Sequence, residues 1–122
     1  MEQDKQARKE TPIYNGLLMY FPDACAAVAQ CSYIANEQHN PGTKMHWDRS
    51  KSGDELDALS RHLMEAGTTD DDGILHSTKI AWRAMSNLQK ELERAGKATT
   101  VYNVQNGRKT KKRESGRTTK AT

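Results

Sequence analysis

The stretch from Ile74 to Ala95, ILHSTKIAWRAMSNLQKELERA, decides the fold. Ile74, Thr78, Ala81, Met85, Leu88 and Leu92 recur at alternating spacings of four and three, the period at which side chains stack on one face of an α-helix. The pattern predicts a helix with a coiled-coil-like core stripe. His76, Lys79 and Arg83 fall on the other side, one turn apart in succession. Asp72 is placed to cap the start of this helix and Gly96 to end it.

Upstream, Ser52 followed three residues later by Glu55 is a capping-box signature, so a second helix is expected from there to near Gly67. Leu56, Leu59 and Leu63 share one of its faces, Asp54, Asp57 and Arg61 roughly the opposite one, and His62 flanks the leucines. A further helix is expected from Asp23 to Gln38, opened by Pro22 and stopped by Asn40, Pro41 and Gly42. Its middle is rich in alanine and cysteine, which lets a neighbouring helix approach closely. Residues from Pro12 to Phe21 read as an extended arm packing on the core, and Met1 to Thr11 as a polar, mobile segment. Residues from Thr43 to Gly53 read as irregular. Thr99 to Val104 reads as a short strand or extended arm, and the chain beyond Asn106 as a disordered basic tail. The expected architecture is all-α: a bundle of about three main helices forming a domain over residues 1–106, followed by a tail over 107–122.

Only 34% of the 122 residues are hydrophobic and 29% are charged. A lone chain of this composition has little apolar surface to bury, so an oligomer, dimer or tetramer, is expected. The net charge of +3 hides an asymmetry. From Arg108 to Lys120 there are seven basic residues and one acid, a net +6, which leaves +3 minus +6, or −3, on the rest. The tail can offer weak contact to nucleic acid, but the remainder carries no basic stripe with interleaved aromatics. Cys25 and Cys31, on one helix, would stand about 9 Å apart along its axis, too far for a disulfide. They read as thiols of a reducing compartment. No apolar run approaches a membrane span and Met1 to Glu10 has no apolar core, so a soluble, cytoplasmic protein with no membrane partner is expected.

Three constellations carry chemistry. The acidic one comprises Glu37, Asp54 and Asp57 one turn apart, and Asp70 with Asp72; carboxylates spaced this way suit Mg²⁺ or Mn²⁺. Its plain alternative is a solvated helix face, with Asp57 and Arg61 as a pair contributing about 0.2–0.5 kcal/mol. The imidazoles His39, His46, His62 and His76 show no standard zinc spacing; His62 taken alone is more often a packed, hydrogen-bonded histidine than a catalyst, and His76 in a first turn is disfavoured as a cation by the helix dipole. The cations Lys44, Arg49, Lys51, Arg61, Lys79 and Arg83 can grip phosphate or decorate an ordinary surface. Trp47 and Trp82 offer faces on which a base can stack, or half-buried core rings. No Walker-type glycine loop is present.

Several blocks also resemble a phage-associated family of dATP/dGTP diphosphohydrolases, N-terminal domain type, related to the MazG-like all-α nucleotide pyrophosphatases. The resemblance spans Pro12 to Glu93. It rests on Tyr20-Phe21-Pro22, the run Asn36-Glu37-Gln38-His39-Asn40-Pro41-Gly42, His46-Trp47, Lys51-Ser52 with Asp54, Arg61-His62-Leu63, Asp70 with Asp72-Gly73, and His76-Ser77 leading to Lys79 and Ala81-Trp82-Arg83-Ala84. It implies an oligomeric helical enzyme that uses Mg²⁺ or Mn²⁺ to cleave a purine deoxynucleoside triphosphate to monophosphate and pyrophosphate in phage nucleotide metabolism. One departure stands out: where MazG-like enzymes carry an E-x-x-E pair, Glu37 is followed by Asn40.

The roles this resemblance implies fall on named residues. Glu37, Asp54, Asp57 and Asp72 would gather the metal, with Glu37 and His62 as the catalytic pair. Lys51, Arg61, Lys79 and Arg83 would hold phosphates. Asn36, Gln38 and Trp47 would take the base. The rival is a non-catalytic helical phage protein that binds nucleotide or nucleic acid.

Overall fold

The structure, a computed structural model, describes residues 2–96. Four α-helices occupy them: α1 (Glu2–Lys9), α2 (Pro22–His39), α3 (Glu55–Leu63) and α4 (His76–Arg94). A π-helical turn, Tyr14–Leu18, precedes α2, and a single 3₁₀ turn, Arg49–Lys51, precedes α3. Among the described residues no helix is long and apolar enough to cross a membrane. The expected strand at 99–104, the boundary at 106 and the basic tail lie outside the described residues.

Two expectations at the N-terminus are corrected. Met1 to Thr11 was expected to be mobile, yet α1 forms from Glu2, with Arg8 and Lys9 complementing the negative end of its dipole. Pro12 to Phe21 was expected to be extended, yet it coils. Gly16 N–H donates to Pro12 O at 2.7 Å, Met19 N–H to Tyr14 O at 2.8 Å, and Phe21 N–H to Leu17 O at 2.9 Å. A proline at the head of such a coil loses nothing, because an N–H there has no partner in any case. Ile13, Leu17, Leu18, Met19, Tyr20 and Phe21 remain exposed rather than packing on a core.

Helix α2 begins at Pro22, whose fixed φ suits a first helical residue, and ends at His39. Gly42, at φ 80°, turns the chain away, a conformation that a Cβ would strain. Asn36 then clips the following loop: its amide donates to Thr43 O at 3.3 Å and its oxygen accepts from His46 N–H at 3.4 Å. The expected capping box at Ser52 is not formed. Asp54 occupies the N-cap without a side-chain cap bond, because Ser52 and Glu55 are engaged across the hairpin instead. Ser52 Oγ donates to Asp54 Oδ1 at 2.8 Å and accepts from Arg83 at 3.0 Å, while Glu55 pairs with Lys90 at 2.9 Å. Helix α4 likewise starts at His76, two residues later than its sequence pattern predicts, with Leu75 rather than Asp72 as N-cap.

The packing of α4 reverses the expected sense of its two faces. His76, Lys79, Arg83, Ser86, Lys90 and Glu93 also alternate in steps of three and four, and this polar seam is the one turned toward the rest of the chain. His76 meets His62, Lys79 meets Asp70 and Asp72, Arg83 meets Ser52, Lys90 meets Glu55, and Glu93 takes a bidentate pair from Arg49. The expected core stripe lies about 200° around the helix, taking Ala81 against Arg83. Ile74, Thr78 and Ala81 are half-buried, but Met85 is 56% exposed and Leu88 52% exposed. Against the two buried apolar side chains Cys31 and Ala58 stand four buried polar ones, Asn36, Glu55, His76 and Ser86. Helix α2 reaches α4 through Trp82, whose indole N–H donates to Ser32 Oγ at 2.7 Å, and Trp47 packs edge-on against Trp82 at 5.8 Å.

Among these contacts Lys90 with Glu55 is the most deeply buried ion pair. Lys90 Nζ also donates to Ser52 O at 2.6 Å, so the ammonium is held from two sides. Burial pushes the Glu55 carboxyl up, but the hydrogen bond and charge of Lys90 outweigh it and leave the group below its usual range. Replacing Lys90 by Met leaves that carboxylate buried and unpaired, and urea denaturation of the full chain should show a loss of about 3 kcal/mol. The double variant Lys90→Met with Glu55→Leu should recover most of it.

Candidate functional site

The densest chemistry lies where α3 ends and α4 begins. The two helices are joined by a tight hairpin: Asp70 N–H donates to Ile74 O at 2.8 Å, Gly73 N–H to Asp70 O at 2.9 Å, and His76 N–H to Thr68 O at 3.0 Å. Gly73 stands at φ 84°, which only a residue without a Cβ adopts freely. This closure places His62, in the last turn of α3, against His76, in the first turn of α4. Their Nδ1 atoms are 2.8 Å apart and their ring centroids 5.1 Å. A contact this short requires one Nδ1 to carry a proton and the other to accept it.

Burial pushes the His62 imidazole below its usual pKa, and the neighbouring His76 and Lys79 charges push the same way against the weaker pull of Asp70. Asp70 itself is drawn down to about 2 by the hydrogen bond from Lys79 and then by the N–H of Asp71. Asp72 is lowered by Lys79 first, against burial, with the Ile74 N–H and Gln38 also bonding to it. Lys79 bridges the two carboxylates, at 2.7 Å from Asp70 and 2.8 Å from Asp72. Burial opposes its charge, yet the two acids outweigh that and raise its pKa. One cation thus holds two carboxylates beside a pair of imidazoles.

A second polar region lies at the other end of the α3–α4 pair. An open cleft of about 270 Å³ is lined there by Asp54, Asp57, Asn87, Lys90 and Arg94 among others. Asp54 bonds to Ser52 and takes a loose pair from Arg61 at 3.5 Å. Arg83 lies between the two regions, its guanidinium 5.7 Å from the Trp82 ring.

The residues singled out in the sequence are therefore distributed rather than gathered. Lys79 and Asp72 meet directly, with Gln38 brought to Asp72 from the end of α2. Asp54 and Asp57 stand near Lys90, about 16 Å of helix axis from Lys79. Glu37 is exposed on α2, and Lys51 is exposed in the 3₁₀ turn. Asn36 is committed to the loop that follows α2. Trp47 is half-buried under the Arg49 guanidinium, 4.2 Å from its ring. Among the described residues, the one group of three or more metal-capable side chains with donor atoms within 4.8 Å of one another is His62, Asp70 and His76. It shares no member with the expected ligands Glu37, Asp54, Asp57 and Asp72. Sequence reasoning passed over Lys90 and took Glu55 only as a capping-box residue, although the polar heptad from His76 to Glu93 was there to be seen. It set His62 and His76 on either side of one loop rich in acids, but no local spacing foretells that their two rings touch.

In comparison with known proteins, a family model described as dATP/dGTP diphosphohydrolase, N-terminal, matches residues 2–100. No curated protein and no solved structure matches the chain.

The depressed pKa of His62 gives stability a defined pH dependence. Its unfolded value is about 6.5, so as pH falls below that value the unfolded chain takes up a proton that the folded chain resists, and stability drops until the folded value is passed. Histidine-resolved NMR should show His62 titrating below the ordinary range, and urea midpoints measured across that window should decline together with its protonation.

Proposed function

The chain belongs to the dATP/dGTP diphosphohydrolase N-terminal family, and we propose that it hydrolyses a purine deoxynucleoside triphosphate, dATP or dGTP, to the monophosphate and pyrophosphate. The observation that carries this reading is the row of cations on the inner seam of α4. Lys79 and Arg83 are half-buried one turn apart, each already held by oxygen ligands of the kind a phosphate would replace. Their spacing of about 6 Å along the axis suits neighbouring phosphates of one chain.

In this reading Lys79 exchanges part of its carboxylate contact for a phosphate oxygen, and Arg83 offers two donors to the next. Lys51 and Arg61, both exposed, supply outer contacts. Water adds to the α-phosphorus as the bond to the bridging oxygen of the β-phosphate breaks, so pyrophosphate leaves with that oxygen. The proton of the attacking water goes to His62, whose imidazole is kept neutral by burial, or to the Glu37 carboxylate. Gln38 and Trp47 border the space proposed for the base, with Asn36 holding the adjoining loop in place.

The family implies a divalent cation, Mg²⁺ or Mn²⁺, which when bound neutralises the triphosphate and acidifies water. Glu37, Asp54, Asp57 and Asp72 fit such a hard ion in chemical kind. They do not fit one ion as a set, because Asp54 and Asp57 stand at the opposite end of the hairpin from Asp72. That separation favours a second reading, a non-catalytic binder of nucleotide or nucleic acid. A homo-oligomer, dimer or tetramer, is part of the proposal: the exposed Met85, Leu88 and Leu92 of α4 are a ready apolar seam for a second copy.

Two measurements test this. Incubating the full chain with each deoxynucleoside triphosphate and Mg²⁺ or Mn²⁺ should release pyrophosphate from dATP and dGTP, and Arg83→Ala should lower kcat/KM at least about tenfold, the loss of one charged hydrogen bond. Release from none of the four under either metal contradicts the hydrolase reading. In sedimentation velocity, Leu88→Glu should convert the oligomer to monomer; an unchanged size distribution would remove this seam as the interface.

A further inference from the structure

The oxygen ligands expected for a metal are scattered, while three donors that were not grouped by any sequence spacing are gathered. From this juxtaposition we propose that His62, Asp70 and His76 form a binding site for one divalent transition-metal ion of the zinc or cobalt class, chemically distinct from an all-oxygen magnesium or manganese site. The proposal does not rest on nucleotide cleavage.

The geometry supports it in four ways. The two imidazoles come from different helices, and their Nδ1 atoms face one another at 2.8 Å, so both point into the same small space. Two imidazole nitrogens on one ion, each at about 2.0–2.1 Å, stand about 2.9–3.4 Å apart for octahedral to tetrahedral angles. The rings therefore need to open by only a few tenths of an ångström. The third donor, a carboxylate oxygen of Asp70, lies with one ring nitrogen of each histidine inside a 4.8 Å group. His76 is buried and His62 and Asp70 are half-buried, so none of the three donors is a fully exposed side chain.

The remaining nitrogen of His76 provides a separate indication. Its Nε2 lies 3.7 Å from the exposed Glu65 carboxylate, beyond hydrogen-bond length, so a small movement of that side chain would set an acid behind the histidine, where it strengthens a metal ligand. With that hydrogen bond made, Nε2 carries the proton and Nδ1 is left free for the ion. Two nitrogens and one oxygen favour a borderline transition metal over magnesium, which prefers oxygen throughout. Three protein donors also leave positions open for water or a phosphate oxygen.

Lys79 is the cost of the site, since its ammonium occupies Asp70 Oδ2 at 2.7 Å. It has an alternative partner in Asp72 at 2.8 Å. Binding of the ion to Asp70 would shift Lys79 onto Asp72 alone and turn its charge toward the phosphate position proposed above.

The test uses the full chain, freed of metal with a chelator and then titrated with Zn²⁺ by calorimetry and with Co²⁺ by visible absorption, in excess Mg²⁺ and without nucleotide. One equivalent per chain is expected, with a Co²⁺ spectrum altered from that of the aqueous ion. The ring-nitrogen NMR signals of His62 and His76, but not of His39 and His46, should shift in the unmutated protein, which keeps the test independent of any variant's folding. Glu65→Gln should weaken Zn²⁺ about tenfold, and His62→Gln should abolish stoichiometric binding while His39→Gln leaves it unchanged. An aqueous Co²⁺ spectrum with no calorimetric stoichiometry, or shifts confined to His39 and His46, would overturn the site. Absence of pyrophosphate release alone would count against the hydrolase and leave this site standing.

Discussion

The buried pair of Lys90 with Glu55 is the constraint on which the arrangement depends. An ammonium and a carboxylate cannot be taken from water without each other, so once α3 and α4 adjoin, these two side chains must meet. Their meeting fixes the rotation of α4 about its axis. Every other polar residue of that seam then follows at heptad spacing: Arg83 onto Ser52, Lys79 onto the hairpin acids, His76 onto His62. The same rotation turns Met85, Leu88 and Leu92 outward. The proposed function and the proposed assembly thus use two sides of one helix, with polar side chains facing the protomer and apolar surface facing away.

This inversion explains why a chain with so small an apolar core still has a defined interior. Its described interior is held by hydrogen bonds, Glu55 to Lys90 and His62 to His76 across α3 and α4, Asn36 to the loop after α2 and Ser86 to Arg83 O within α4, with Ala58 small enough to let α3 come close. Such pairs give less net stabilisation than apolar packing. They do impose register, because a shift by one residue would leave several buried charges without partners. A cluster with preset positions for imidazoles, acids and cations is what a binding site requires, and the composition that weakens the core is the one that builds the site.

Much of the helical architecture was legible in the sequence. Pro22, the Asn40-Pro41-Gly42 stop and the Gly96 end act through local backbone chemistry, and α2 and α4 begin and end within two residues of expectation, whereas α3 stops at Leu63, four residues short of Gly67. The inner face of α4 was not legible, because its apolar and polar residues repeat with the same period, and a period says where a face is but not what covers it. The capping box failed for a related reason: Ser52 and Glu55 have the right local spacing, but partners from α4, distant in sequence, compete for both side chains. The coil over Tyr14–Leu18 was missed because the expected arm was read from its apolar content and not from the proline that heads it. At the site, Lys79 and Arg83 showed their shared face at once. The meeting of His62 with His76 depends on a hairpin closure that no spacing rule encodes, and the carboxylates expected to share one metal are parted by the antiparallel run of α3 and α4.

The rotation of α4 can be read directly from an isotope-edited NOE spectrum of the full chain, filtered to retain contacts within one protomer. The account predicts cross-peaks between the ring protons of His62 and His76 and between the side chains of Lys90 and Glu55. Intrachain contacts from the methyl groups of Met85 and Leu88 to α3, with none between those polar pairs, would contradict it.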